Sequence, residues 1–137
     1  MYTRYFDLAK KEARCSDFNK FHIGCIAVYK NKIVGKGCNI YKTHPIPKMY
    51  VKYRFTEEEL KTVLPVLHAE MNCIISIKCN IEDYSKVKLF ICRVSKTGKM
   101  GMARPCPSCM KFIMNKGIKD IYYSTPTGYA HEELKIE

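Results

Sequence analysis

The chain has 137 residues, 47% of them hydrophobic, which suffices for one good core and falls short of two ordinary domains. Lysine and arginine number 24 against 13 acidic residues, a formal charge of +11 that suits a polyanionic partner or a phosphorylated substrate, and equally a lysine-rich solvated surface. No apolar run approaches the roughly 20 residues of a membrane span, and the opening MYTRYFDLAKKEAR lacks the apolar centre of a secretory signal, so one cytoplasmic domain over residues 1–137 is expected.

Tyr5, Leu8, Ala9 and Ala13 recur at helical spacing and predict an amphipathic helix over 3–15, ended by Ser16 and Asp17. HIGCIAVY, from His22 to Tyr29, is nearly continuous in apolar β-formers and reads as a central strand buried on both faces. Lys30-Asn31-Lys32 is the turn into a second strand, Ile33 to Asn39, where Gly35 and Gly37 mark a bulge or a close backbone approach. The segment Thr43 to Pro65 is the least regular. Thr56 and Glu59 have capping-box spacing and Leu60, Val63 and Leu64 follow at helical intervals, so a short helix is expected inside it. A long insertion of this kind either shapes a binding site or is a surface loop with a satellite helix.

HAEMNCIISIK predicts a helix beginning near His68 and stopped by Asn80. Val87 to Val94 reads as another buried strand, followed by a basic loop, Ser95 to Arg104. Pro107 suits a first helical turn and Gly117 a C-terminal cap, so a helix lies between them. Ile121 to Ser124 is the next strand. Pro126-Thr127-Gly128 is a turn, and residues 129–135 return antiparallel as a hairpin. The order predicts an α/β layered domain, helices on the faces of a mixed sheet of about five strands.

Eight cysteines in a chain able to build a core, without an export signal, favour reduced thiols over a disulfide framework. Cys106 and Cys109 form the one close pair. At i and i+3 on a helix they point to one side, and a helix N-terminus favours the thiolate that binds metal. Of four histidines, His68 stands at the mouth of a helix, and at its first turn Glu70 can reach the same centre. Two thiols and one imidazole leave a fourth position for water, which separates a catalytic zinc from a structural one.

This ligand set, with a carboxylate two residues after the histidine, matches H-x-E…P-C-x-x-C, and the chain resembles the cytidine and deoxycytidylate deaminase superfamily. The resemblance also covers IAVYKNKIVGKGCN, HAEMNCI and PCPSCMKFIMNKGIKDIYYS. It implies the three-layer cytidine-deaminase fold, His68, Cys106 and Cys109 as ligands of one zinc ion, and Glu70 as proton shuttle. It further implies hydrolysis at the ring carbon bearing the exocyclic amine. Asn39 would contact the sugar, the Ala69 N–H the base carbonyl, and the Arg104 carbonyl the amino group. The plainer readings are a strand-end turn for Asn39 and a surface charge for Arg104. The interval from His68 to Cys106 is longer than is common in the family, and the C-terminal hairpin resembles the cytidine-deaminase branch more than the deoxycytidylate branch.

The activity expected is conversion of cytosine to uracil with release of ammonia. The charge, the loop lysines Lys96 and Lys99, and Lys42, Lys48, Lys52 and Arg54 interleaved with Tyr50, Tyr53 and Phe55 favour single-stranded DNA or RNA as substrate. The alternative is a free cytosine nucleoside or nucleotide. A non-catalytic zinc module that binds nucleic acid is the reading from another class, and it needs a fourth ligand from His22, His44, His131 or another cysteine.

Overall fold

A computed structural model describes residues 2–18, 20–42, 44–53 and 66–135. The short helix expected over Thr56–Leu64, and Arg54 and Phe55 with it, lie outside the described residues. The central sheet is mixed, in the order β2 (Lys32–Cys38), β1 (His22–Tyr29), β5 (Lys88–Val94), β7 (Asp120–Thr125), β8 (Gly128–Glu133). β5 and β7 run parallel, and the other neighbours are antiparallel. Two short strands, β3 (Ile40–Tyr41) and β4 (Val66–Leu67), pair separately, and β6 (Met100–Gly101) adds to the end of β5.

Helices cover both faces, giving three layers. α1 (Thr3–Ala13) lies on one face, where Phe6 and Ala9 pack on Ile26, Val28, Phe90 and Cys92. Its backbone comes so close to β1 that a Cβ at Gly24 would stand 2.0 Å from the Ala9 carbonyl oxygen. The opposite face carries α3 (Ala69–Ile75) and α4 (Pro107–Lys116), with α2 (Pro45–Tyr50) packed alongside α4. Met71, Cys73, Ile74, Phe112 and Ile113 join Cys25, Ala27, Leu89, Ile91 and Ile121 in the larger core.

The glycines of β2 work as expected. A Cβ at Gly37 would meet the Cys73 nitrogen at 2.5 Å and one at Gly35 the Cys73 oxygen at 2.7 Å, so α3 seats directly on the strand. A register shift opposite Ala27 and Val28 supplies the bulge as well. Lys30 and Asn31 both adopt left-handed φ, 50° and 62°, as a two-residue hairpin with matching twist requires. Gly117, at φ 91°, closes α4 in the left-handed conformation.

Several boundaries differ from the sequence expectation. α1 stops at Ala13, and β2 runs from Lys32 to Cys38, leaving Asn39 just beyond it. α3 ends at Ile75, well before Asn80, because the Ser76 hydroxyl donates back to the Cys73 carbonyl at 2.6 Å and accepts from Lys36 N–H at 3.0 Å. The Ser95–Arg104 loop contains β6, and Ser124 stitches it to β7 by donating from its hydroxyl to the Gly101 carbonyl at 2.8 Å.

Candidate active site

The site forms where two helices begin. His68 is the N-cap of α3 and Cys106 the N-cap of α4, both in extended conformation, and Cys109 lies in the first turn of α4. Pro107 at the first position of α4 needs no N–H partner and presets φ for the helix, which holds the two cysteines in register. α3 owes its place to the glycines of β2 and to Asn72, whose Nδ2 donates to the Cys38 carbonyl at 3.0 Å.

His68 Nδ1 lies 3.2 Å from Cys109 Sγ and 3.6 Å from Cys106 Sγ. Among the described residues these three side chains form the one group of three His, Cys, Asp or Glu whose donor atoms all lie within 4.8 Å of one another. One imidazole and two sulfurs at that spacing fit one zinc ion, with Nδ1 as the nitrogen ligand. The metal would find one of its two thiols already prepared as thiolate. Hydrogen bonding with Cys109, and after it with His68, holds the Cys106 thiol down at about 4 against the opposing effect of burial.

Glu70, in the first turn of α3, is 4% exposed. Burial pushes its carboxyl up to about 7, against the favourable charge of His68, and a hydrogen bond with Cys109 places it beside the metal donors. A buried carboxyl that gains and loses its proton near neutrality, next to a metal group with three donors, is equipped for general acid and base work.

The sequence profile of the cytidine and deoxycytidylate deaminase zinc-binding region matches residues 1–125. The chain belongs to this deaminase family. Mouse deoxycytidylate deaminase is 29% identical over 110 residues, which cover 80% of this chain and 55% of the mouse protein. The chain therefore spans about half the length of that relative. The dCMP deaminase of cyanophage S-TIM5, solved in complex with dCMP and dUMP, is 26% identical with a TM-score of 0.57, over 88% of this chain and 77% of the phage chain. The cytidine deaminase of Mycobacterium tuberculosis shares the fold at 17% identity and TM-score 0.50, over 90% of this chain and 84% of its own.

In this chain Ala69 is fully buried at the start of α3, next to His68. Asn39 is 3% exposed, and its side chain serves the entrance to β1: Oδ1 accepts from Ile23 N–H at 2.8 Å and Nδ2 donates to the Phe21 carbonyl at 3.2 Å. Arg104 turns its side chain to the C-terminal hairpin, where Nε donates to Glu132 at 2.8 Å and Tyr123 Oη donates to the same carboxylate oxygen at 3.1 Å. Among the described residues His22, His44 and His131 stand outside the three-donor group: His22 opens β1 with its buried Nδ1 lacking a hydrogen-bond partner, His131 Nε2 pairs with Asp120 at 2.8 Å, and His44 Nδ1 accepts from Ile46 N–H at 3.1 Å.

Two residues near the site escape a reading by motif. Ser124 accepts from Arg93 N–H at 3.0 Å while its carbonyl accepts from Ala103 N–H at 2.9 Å, which places the approach to Pro105-Cys106. Ser108, between the cysteines, is buried and donates to the Tyr50 carbonyl. A serine carries no periodic or spacing signal, so neither stands out in the sequence.

Proposed function

We propose that this chain hydrolyses the exocyclic amine of a free cytosine nucleotide, giving the uracil nucleotide and ammonia, with deoxycytidylate as the leading substrate. The observation that carries the reaction type is the buried Glu70 carboxyl set against the three-donor group of His68, Cys106 and Cys109. The substrate class rests on two relatives named as deaminases of deoxycytidylate, one of them solved with dCMP and dUMP. That likeness favours the nucleotide over the single-stranded polymer that charge and loop composition suggest.

His68, Cys106 and Cys109 would hold a zinc ion, which when bound would supply a water activated at neutral pH. Glu70 takes a proton from the attacking water and delivers it to the ring nitrogen beside the carbon under attack. It then carries the second proton to the departing nitrogen as the carbon–nitrogen bond breaks, so one water is consumed and one ammonia leaves. The Ala69 N–H, in a first helical turn where no carbonyl of its own helix can accept it, is offered to the base carbonyl. The Arg104 carbonyl is offered to the amino group, and Asn39 meets the sugar with whatever amide capacity its bonds to Phe21 and Ile23 leave.

The test is to incubate the zinc-loaded protein with deoxycytidylate, cytidine, adenosine, and single-stranded DNA and RNA, scoring uracil and inosine. Turnover of deoxycytidylate is expected. Turnover restricted to the polymers, falling steeply with salt, would transfer the assignment to nucleic acid. No product from any of them, with zinc bound, would remove the enzyme reading.

A further inference from the structure

The turn that carries both metal thiols also grips a distant segment of the chain. Ser108 is 4% exposed, and its hydroxyl donates to the backbone carbonyl of Tyr50, the last residue of α2. Farther along α4, the Phe112 ring meets the Tyr50 ring edge-on with centroids 5.4 Å apart, and Asn115 Nδ2 donates to Tyr50 Oη at 3.0 Å. Positions 108, 112 and 115 form one stripe of a helix. Carbonyl, ring and hydroxyl of a single tyrosine are thus each met by a different residue of that stripe. A serine in a first helical turn ordinarily serves backbone groups of its own helix, and here it serves another segment.

The gripped segment follows Asn39 and β3 in the chain and continues into the turn Val51–Tyr53. There Lys52 Nζ and Lys111 Nζ stand 5.3 and 5.8 Å from the centroid of the Tyr53 ring. Two ammonium groups gathered around one aromatic ring make a local concentration of positive charge, suited to a ligand that carries phosphate.

We propose that Ser108 is a positioning residue that couples the metal-binding turn to the Pro45–Tyr53 wall, and that this wall holds the sugar–phosphate side of the substrate. The substrate half rests on the nucleotide-deaminase reading above. The coupling half stands on the contacts to Tyr50. A residue that acts on the wall changes substrate affinity and leaves metal binding alone, which separates this role from that of its two cysteine neighbours.

The experiment compares the zinc-loaded wild type with Ser108→Ala, Ser108→Thr and Tyr50→Phe. Ser108→Ala is expected to retain one zinc per chain and to speed amide exchange across residues 46–53 roughly fivefold to tenfold, the effect of one lost hydrogen bond, with β5 unchanged. KM for deoxycytidylate should rise by a similar factor while kcat stays within about threefold. Ser108→Thr, which keeps the hydroxyl, should restore both, and Tyr50→Phe, which loses only the Asn115 bond, should show a smaller change in exchange. Unchanged exchange in Ser108→Ala, or loss of zinc with it, overturns the coupling. Faster exchange with an unchanged KM overturns the substrate half. The exchange readout needs no substrate, so a wild type inactive on every cytosine compound fails the proposed function and the substrate half together, while the coupling is still judged.

Discussion

His68 Nδ1 and Cys109 Sγ lie 3.2 Å apart although 41 positions separate them in the chain, because the N-termini of α3 and α4 come together. A metal that binds this pair only in the folded chain stabilises the fold by mass action. Chelation is therefore expected to lower the midpoint of thermal unfolding by several degrees, and re-addition of zinc to restore it. His68→Ala and Cys109→Ser should each reduce bound zinc, measured by elemental analysis after dialysis, to a minor fraction of one per chain. Full zinc occupancy in either variant would sink the three-donor assignment.

Glu70→Gln separates chemistry from metal binding. The amide keeps the volume of a 4% exposed side chain and removes the carboxyl proposed as proton shuttle. Zinc content should stay at one per chain while kcat falls by at least about a hundredfold. The metal-free protein gives a second readout. Its Glu70 carboxyl sits at about 7 against an ordinary 4.5, so the native state holds this proton more tightly than the unfolded chain does. The contribution of that group to stability is complete below its unfolded value and is lost as pH rises through about 7. Metal-free wild type should thus lose ground to metal-free Glu70→Gln between pH 5 and pH 8 in parallel melts. A constant difference across that range counts against the buried, proton-holding state of Glu70.

Cys106 behaves in the opposite sense. Hydrogen bonding with Cys109 keeps its thiol down at about 4, whereas burial pushes the Cys38 and Cys92 thiols up to about 11 and about 12. Alkylation follows the thiolate. In metal-free protein treated with iodoacetamide at pH 6, peptide mass spectrometry should find Cys106 labelled and Cys38 and Cys92 untouched. Zinc added beforehand should protect Cys106. Equal labelling with and without zinc would place Cys106 outside the metal group.

The grouping of His68, Cys106 and Cys109 was legible because spacing marks it. A histidine at the mouth of a helix, and two cysteines three apart after a proline, are local patterns. The strands β1, β5 and β7 were legible for a similar reason, as compact runs of apolar β-formers. What escaped depends on contacts across the chain. Nothing local announces that Ser76 will bend its hydroxyl back to Cys73 and end α3 early, or that Ile40 and Tyr41 will pair with Leu67 and Val66. The bond from Ser108 to Tyr50 spans 58 positions and joins two residue types common on any surface.

Gly24 and Gly37 test the layers on opposite faces of the sheet. A Cβ at Gly24 would stand 2.0 Å from the Ala9 oxygen in α1, and one at Gly37 would stand 2.5 Å from the Cys73 nitrogen in α3. Alanine at either position must push a helix backbone outward, at about 1–3 kcal/mol or more. Their functional effects should differ. Gly37→Ala displaces the helix that carries Glu70 and is capped by His68, so its zinc affinity should weaken, whereas Gly24→Ala should lose stability with zinc affinity intact. Urea melts and zinc titrations make the comparison, and equal zinc affinity in both variants would deny α3 its positioning role.

Asn39 holds a structural post and is proposed to hold a functional one, and the two can be pulled apart. Its Oδ1 accepts from Ile23 N–H and its Nδ2 donates to the Phe21 carbonyl, with its own carbonyl accepting from the Ser16 hydroxyl at 2.6 Å. Asn39→Ala leaves the Ile23 N–H and the Phe21 carbonyl without these partners at the entrance to β1, which should cost about 1–3 kcal/mol. Asn39→Asp keeps the acceptor for Ile23 but turns an anion toward the Phe21 carbonyl, so it should be destabilised as well. If the residue also meets the sugar, KM for deoxycytidylate measured well below the unfolding transition should rise in both variants, and by more than in a scaffold variant of equal stability such as Gly24→Ala. Stability lost with KM unchanged would confine Asn39 to the scaffold, and the sugar would have to be held by the wall beyond β3.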